Sequence, residues 1–390
     1  MIKKCLKTRI TSFALATGLI LTSLTGCSSS SSANQDDSDV YKFAMMAPLT
    51  GDAAQYGLTY KNTLEILVNK VNSDGGINGK QIQVDYYDDK KDTKEALNIA
   101  NKIVADGNYI GVVGSQTSSC SMAAAPVLQE SKILMISPQA SNPNFTLSGD
   151  YIFSLQLSSS YEADLTAKLV VENNSFKKIA VIYSNDDWGV GVNDEFTSYV
   201  ESLGGEIVAN ETFISGQTKD FSPLISKMKE AQPDAIFIAA LYSEGAQILQ
   251  QCKNLDFNVP VFTTNTLYKQ EFLELASDNA DGILMLNSFE LDNQNDNYLY
   301  LANEYLEKTG KQVDTYVTQS YDALKLMLDA LENVGDDTSA MKDYIASVNN
   351  YEGVSGTFSF NENRVPIKPE YVFTIENGEY VQIPDLVIVQ

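Results

Sequence analysis

The sequence predicts an α/β fold of two Rossmann-like lobes, each built on a doubly wound parallel sheet. Three observations carry that prediction. Short apolar runs alternate with helix-period segments from residue 40 onward, the pattern left by repeated β-α units. Most of these runs are continuous stretches of β-branched residues, Leu and Met, as in strands covered on both faces. The 390 residues, 44% of them hydrophobic, also hold more such units than one sheet needs, so two lobes of similar size are the natural arrangement.

The elements follow in chain order. Lys3, Lys4, Lys7 and Arg9 make a basic start, and a mixed apolar stretch runs from Ile10 to Leu24. That stretch is too short and too rich in Thr and Ser for a good membrane span, and it has the form of a signal peptide over residues 1–26. It ends in Leu24-Thr25-Gly26-Cys27, which resembles a bacterial lipobox and implies lipidation of Cys27. The polar run to residue 39 is then a flexible tether, as a membrane-anchored domain needs. Strands are predicted over 42–48, 81–87, 109–114, 133–138, 178–184, 235–240, 259–264 and 282–287. The clearest helical stretches are 59–71, 93–104, 162–173, 194–203 and 245–255. The tail reads as two hairpins, 356–365 and 370–383, the second turning at Asn377-Gly378.

Composition narrows the function. The chain carries 51 acidic against 27 basic residues, a formal charge of −24, so nucleic acid is a poor partner. There is no histidine, which removes Ser-His-Asp and Cys-His catalysis and every His-containing metal site. No cofactor and no metal are expected. Arg9 and Arg364 are the only arginines, so a ligand carboxylate must be held by hydroxyls, backbone N–H groups or lysine rather than by a guanidinium fork. Cys5 leaves with the signal and Cys27 is taken by lipid. Cys120 and Cys252 fall in different lobes and are expected as buried thiols.

Ligands of open parallel sheets sit beyond the carboxyl ends of the strands. The loops there carry Tyr56, then GSQTSSC (114–120) with Ser118 and Ser119, then Gln139, Ala140 and Ser141, then Trp188, Tyr242 with Glu244, and Asn265 with Tyr268. Singly, each serine reads as a helix N-cap and each ring as a local anchor. Together they describe a cleft with polar donors on one wall and rings on the other. GSQTSSC could be a nucleophile turn, a phosphate cradle or a ligand clamp. Without histidine nothing activates Cys120, and there is no GxxxxGK[ST] or GxGxxG for phosphate. The loop leads into a helix whose first N–H groups are unpaired and whose dipole is positive, which makes it a carboxylate cradle centred on Ser118.

The motifs APLTGDAAQYG (47–57), GGINGKQIQV (75–84), YDDKKDTKEA (87–96), ILMISPQASNP (133–143), NDDWGVGV (185–192) and GTFSFNEN (356–363), in this order and spacing, resemble the substrate-binding proteins of branched-chain amino acid and amide ABC transporters. The resemblance implies the type I periplasmic-binding fold, with two lobes joined by three crossover strands. Residues 40–157 with 289–367 would form the first lobe, and 158–288 with 368–390 the second. It also implies that Ser118 and Ser141 hold a ligand carboxylate beside the backbone of Gln139 and Ala140, while Tyr56, Trp188 and Tyr242 line the cleft. One departure stands out. Leucine-type binders place an ammonium-pairing Glu near the position of neutral Asn265, so another acid, Glu244, Glu290 or Asp322, would have to supply the charge, or the ligand is not a simple α-amino acid. Lys91 and Thr117 stand where some relatives carry a disulfide. The expected function is capture of an amino acid or related small carboxylate or amide and delivery to an ABC permease, without catalysis. A sensor ectodomain of the same fold and a secreted amidase are the alternatives.

Overall fold

The structure is a computed structural model that describes residues 40–288 and 293–388. Cys27, the tether and Glu290 lie outside the described residues. The first sheet is wholly parallel, with β1 (Val40–Ala47), β2 (Gln81–Asp88), β3 (Tyr109–Gly114), β4 (Leu134–Ser137) and β5 (Ile152–Ser154) in the order β2-β1-β3-β4-β5. Helices α1 (Ala54–Ser73), α2 (Thr93–Asp106), α3 (Ser118–Glu130) and the short α4 (Pro143–Thr146) return the chain between them. The second lobe repeats the scheme with β6 (Lys178–Ser184), β7 (Glu206–Phe213), β8 (Ala235–Ala239), β9 (Val261–Thr263) and β10 (Leu284–Asn287), connected by α6 (Asp187–Ser202), α7 (Ser222–Glu230), α8 (Tyr242–Asn254) and α9 (Gln270–Ala276). Helix α5 (Ser159–Lys168) precedes β6 and runs on as a π-helical turn over Leu169–Asn173. The order β7-β6-β8-β9-β10 again reverses beside the lobe's first strand, so each sheet opens a crevice at its switch point.

Three later helices, α10 (Asp296–Thr309), α11 (Thr315–Val334) and α12 (Thr338–Ala346), return to the first sheet's side. There α10 and α11 lie on α1, and α11 reaches β3 and β4. A small antiparallel sheet of β11 (Tyr351–Gly353), β12 (Gly356–Phe360) and β13 (Pro366–Ile367) borders β5, where Ser154 donates its N–H to the Arg364 carbonyl at 3.2 Å. The chain then crosses back to β14 (Glu370–Glu376), antiparallel to β10, and β15 (Glu379–Ile388), antiparallel to β14, which extend the second sheet.

Local chemistry explains most boundaries. Asp92, Thr117, Asp186 and Asp314 cap the starts of α2, α3, α6 and α11 with their side chains. Gly107 and Gly310 end α2 and α10 in the left-handed region. Asn377 and Gly378 both take positive φ, 53° and 76°, as a type I′ hairpin requires. Two strands escape the apolar-run criterion. β5 has only three residues, and β7 is an edge strand whose residues are mostly half-exposed or exposed. Helix α6 also starts well before the expected 194, because the Asp186 cap fixes its beginning.

Candidate functional site

The two rows of loops face each other across a cavity of about 260 Å³. On the first lobe, strand order sets the sequence of side chains along the wall. Lys91 and Thr93 follow the edge strand β2, Ser118 and Ser119 follow β3, Gln139 and Ser141 follow β4, and Gln156 follows β5 beside the crossover. The second lobe contributes Asp186 and Trp188 after β6, Leu241 after β8, and Asn265 with Thr266 after β9.

GSQTSSC does what its position demands. Thr117 caps α3 by accepting from the Cys120 N–H at 3.3 Å. The N–H groups of Ser118 and Ser119 have no partner within a helix's first turn, and both residues stand on the cavity wall. Ser118 Oγ accepts from the Asn142 N–H at 3.3 Å, which leaves its own proton free to point at a ligand. A scaffold of serines holds the loop from behind: Ser121 and Ser137 both donate to the Ser115 carbonyl, at 3.1 and 2.6 Å, and Ser115 donates to Asp89. Cys120 is fully buried, and burial pushes its thiol up to about 12. It is a core residue of α3 and not a nucleophile.

Six of the nine sequence-predicted positions meet at this cavity: Ser118, Ser119, Gln139, Ser141, Trp188 and Asn265. Three do not. Ala140 turns both backbone groups inward, its N–H to Ser137 Oγ at 2.8 Å and its carbonyl to Ser154 Oγ at 2.7 Å. Tyr56 is fully buried behind the wall, where its hydroxyl donates to the Thr266 carbonyl at 3.0 Å and accepts from the Tyr242 N–H at 3.1 Å. Tyr242 packs edge-on against that ring with centroids 5.3 Å apart. These two rings join the lobes and do not face the cavity.

Of the acids considered as ammonium partners, the two among the described residues are otherwise engaged. Glu244 Oε1 accepts from Ser215 Oγ and the Gly216 N–H, both at 2.7 Å, so it is a first-turn acid that ties down the loop after β7. Asp322 accepts from the N–H groups of Val354 and Ser355 at 2.9 and 2.8 Å. Behind Gln156, at the β5 end of the wall, the buried acid Glu162 accepts from Gln156 Nε2 at 2.7 Å. Burial pushes its carboxyl up to about 8. Sequence reasoning missed Lys91, Thr93, Gln116, Gln156 and Asp186 on the wall. Lys91 and Asp186 lie inside motifs that were quoted whole, and their place in loops at strand ends was the available signal. Gln156 follows β5, the strand too short to be seen.

Comparison with known proteins agrees with this architecture. The periplasmic binding protein family profile matches residues 40–379. The leucine-, isoleucine-, valine-, threonine- and alanine-binding protein of Pseudomonas aeruginosa is 28% identical over 327 residues, which cover 83% of this chain and 86% of that protein. The branched-chain amino acid transporter substrate-binding protein of Streptococcus pneumoniae, solved with isoleucine, superposes with a TM-score of 0.80 at 27% identity, covering 88% of this chain and 100% of the other. A solute-binding protein of an ABC transporter from Rhodopseudomonas palustris, solved with 3,4-dihydroxybenzoic acid, shares the fold with a TM-score of 0.81 at 22% identity over 88% of this chain and 96% of its own. The chain belongs to the periplasmic binding protein family, as a two-lobed α/β substrate-binding protein of the ABC-transporter type that holds a ligand rather than transforming one.

Proposed function

We propose that this protein is a lipid-anchored, extracytoplasmic solute-binding protein that closes on an amino acid or related small carboxylate or amide and hands it to an ABC permease. One observation carries the reading. The start of α3, with Ser118 and Ser119, opens into a cavity walled by both lobes, and a helix N-terminus with spare N–H groups is a ready anion site in a chain that has no arginine to offer there. Ser118, Ser119 and Ser141 hold the carboxylate. Trp188 covers the ligand from the opposite lobe, and Asn265 faces its hinge-side end. Residues 40–157 with 289–367 move as one lobe and 158–288 with 368–390 as the other. The relatives that bind leucine, isoleucine, threonine or alanine support an amino acid as the ligand. Lipidation of Cys27, followed by the polar tether, keeps the protein at the membrane where the permease sits.

Isothermal titration of the purified chain against amino acids, their amides and aromatic acids is expected to give one site. Ser118→Ala should weaken the best ligand about tenfold, the worth of a charge-assisted hydrogen bond, and Ser118→Ala with Trp188→Ala should weaken it further. Unchanged affinity in the double variant would place the ligand elsewhere.

A further inference from the structure

The order of strands in the first sheet turns the cavity wall into a ruler. A carboxylate at Ser118 and Ser119 lies beyond β3, in the middle of the sheet. Toward β5 the wall ends at Gln156 by the hinge. Toward β2 it ends at Lys91 and Thr93, the end away from the crossover. A ligand anchored in the middle has its side chain directed toward one of these ends, and the β2 end is charged.

The Lys91 side chain is 23% exposed, its ammonium donates to Ser215 Oγ, and Asp186 Oδ2 lies 3.9 Å away, at the limit of an ion pair. Asp186 uses its other oxygen to accept from the Gly189 N–H at 2.9 Å and from Ser184 Oγ at 3.2 Å. Gln116, 5% exposed on the same wall, carries an Oε1 with no hydrogen-bond partner among the described residues. Leu241 and Trp188 are the aliphatic and aromatic residues on the wall, and the rest are polar or charged residues that add methyl groups and side-chain stems to it. A branched hydrocarbon placed here would return no hydrogen bond to Lys91 or to Gln116 Oε1 for the water it displaces. A side chain that accepts from Lys91 satisfies the ammonium instead. Burial pushes the Asp186 carboxyl up, and its 3.9 Å separation from the ammonium leaves Lys91 room for a second acceptor.

We propose that Lys91 makes this site select an amino acid whose side chain carries a hydrogen-bond acceptor, a carboxylate, amide carbonyl or hydroxyl, over one with a branched aliphatic side chain; an amide or hydroxyl can in addition donate to Gln116 Oε1. The inference rests on the amino-acid-binding reading above and narrows it.

The test uses the soluble chain with the twenty L-amino acids as probes, ranked by thermal shift and then measured by calorimetry. The best binder is expected among aspartate, asparagine, glutamate, glutamine, serine and threonine, with leucine, isoleucine and valine at least about 100-fold weaker. Lys91→Met keeps the stem and removes the ammonium, and it should shrink that ratio by about 100-fold. A wild-type preference for leucine, isoleucine or valine overturns the inference and leaves amino-acid binding intact. So does a Lys91→Met variant that loses its best ligand and leucine equally, because Lys91 would then be only a latch. If no amino acid binds the wild type, the inference and the reading beneath it both fall.

Discussion

Glu244 and Asp322 are both buried acids, and both accept hydrogen bonds from the loops they hold rather than from a ligand. Asp322 is 1% exposed, and burial raises its carboxyl to about 6. A carboxyl whose folded pKa lies above its unfolded value binds its proton more tightly when folded. Its stabilising contribution is therefore present below about pH 4 and is lost as pH rises toward about 6. Asp322→Asn should flatten that part of the urea-midpoint profile. At pH 8 it should still cost about 1–3 kcal/mol, because Val354 and Ser355 donate to different oxygens of the carboxylate and an amide turns one of those into an NH2 group facing a donor. Identical pH slopes for wild type and variant between pH 4 and 6 would mean that the carboxyl is not strained by burial. At this scale the sequence was most informative where one residue type was scarce. The lack of histidine and the two arginines pointed to α3 as the anion site. Whether an acid faced a ligand or a backbone loop was not legible, because Glu244 and Asp186 both sit beside a helix start and differ only in where the loop after β7 folds over them.

At the scale of elements, α1 is joined to the opposite lobe through Tyr56 and Thr59. The Tyr56 hydroxyl connects it to Thr266 and to the start of α8, and the ring also meets Tyr316 of α11 at 4.7 Å. Both hydrogen bonds exist only while the lobes are together. Tyr56→Phe should therefore weaken the preferred ligand about tenfold and leave the ligand-free melting temperature within a degree or two. A large drop in melting temperature with unchanged affinity would make Tyr56 a core residue and not a closing contact. The sequence marked Tyr56 as a cavity ring, whereas the structure buries it behind the wall with its hydroxyl on Thr266 and the start of α8; a ring after a strand end reads the same in sequence whether it faces the ligand or the seam. Most parallel strands were legible as continuous apolar runs. β7 was not, since an edge strand shows half its residues to solvent, and β14 and β15 were assigned to the second lobe only through the family resemblance, since pairing across a crossover leaves no local pattern.

Over the whole molecule, the seam between the lobes is fastened by lysines. Lys219 meets Asp52 at 3.1 Å and Lys311 meets Glu271. Such partly exposed pairs contribute little each. Lys269 differs. It projects from the loop after β9 into the first lobe, where its ammonium donates to Asp314 Oδ2 at 2.6 Å and to Thr59 Oγ1 at 3.3 Å, with the rings of Tyr56 and Tyr316 around it. Its side chain is 2% exposed although its partners lie across the seam, so parting the lobes uncovers it. An acylating reagent should consequently modify Lys269 at least about tenfold more slowly in ligand-saturated protein than in free protein, read by peptide mass spectrometry, while exposed lysines such as Lys253 react alike in both. Equal rates at Lys269 would show that the seam does not open. An acylated Lys269 has lost the charge that Asp314 requires and no longer fits between the rings, so the same reaction that counts openings also keeps each counted molecule from shutting again.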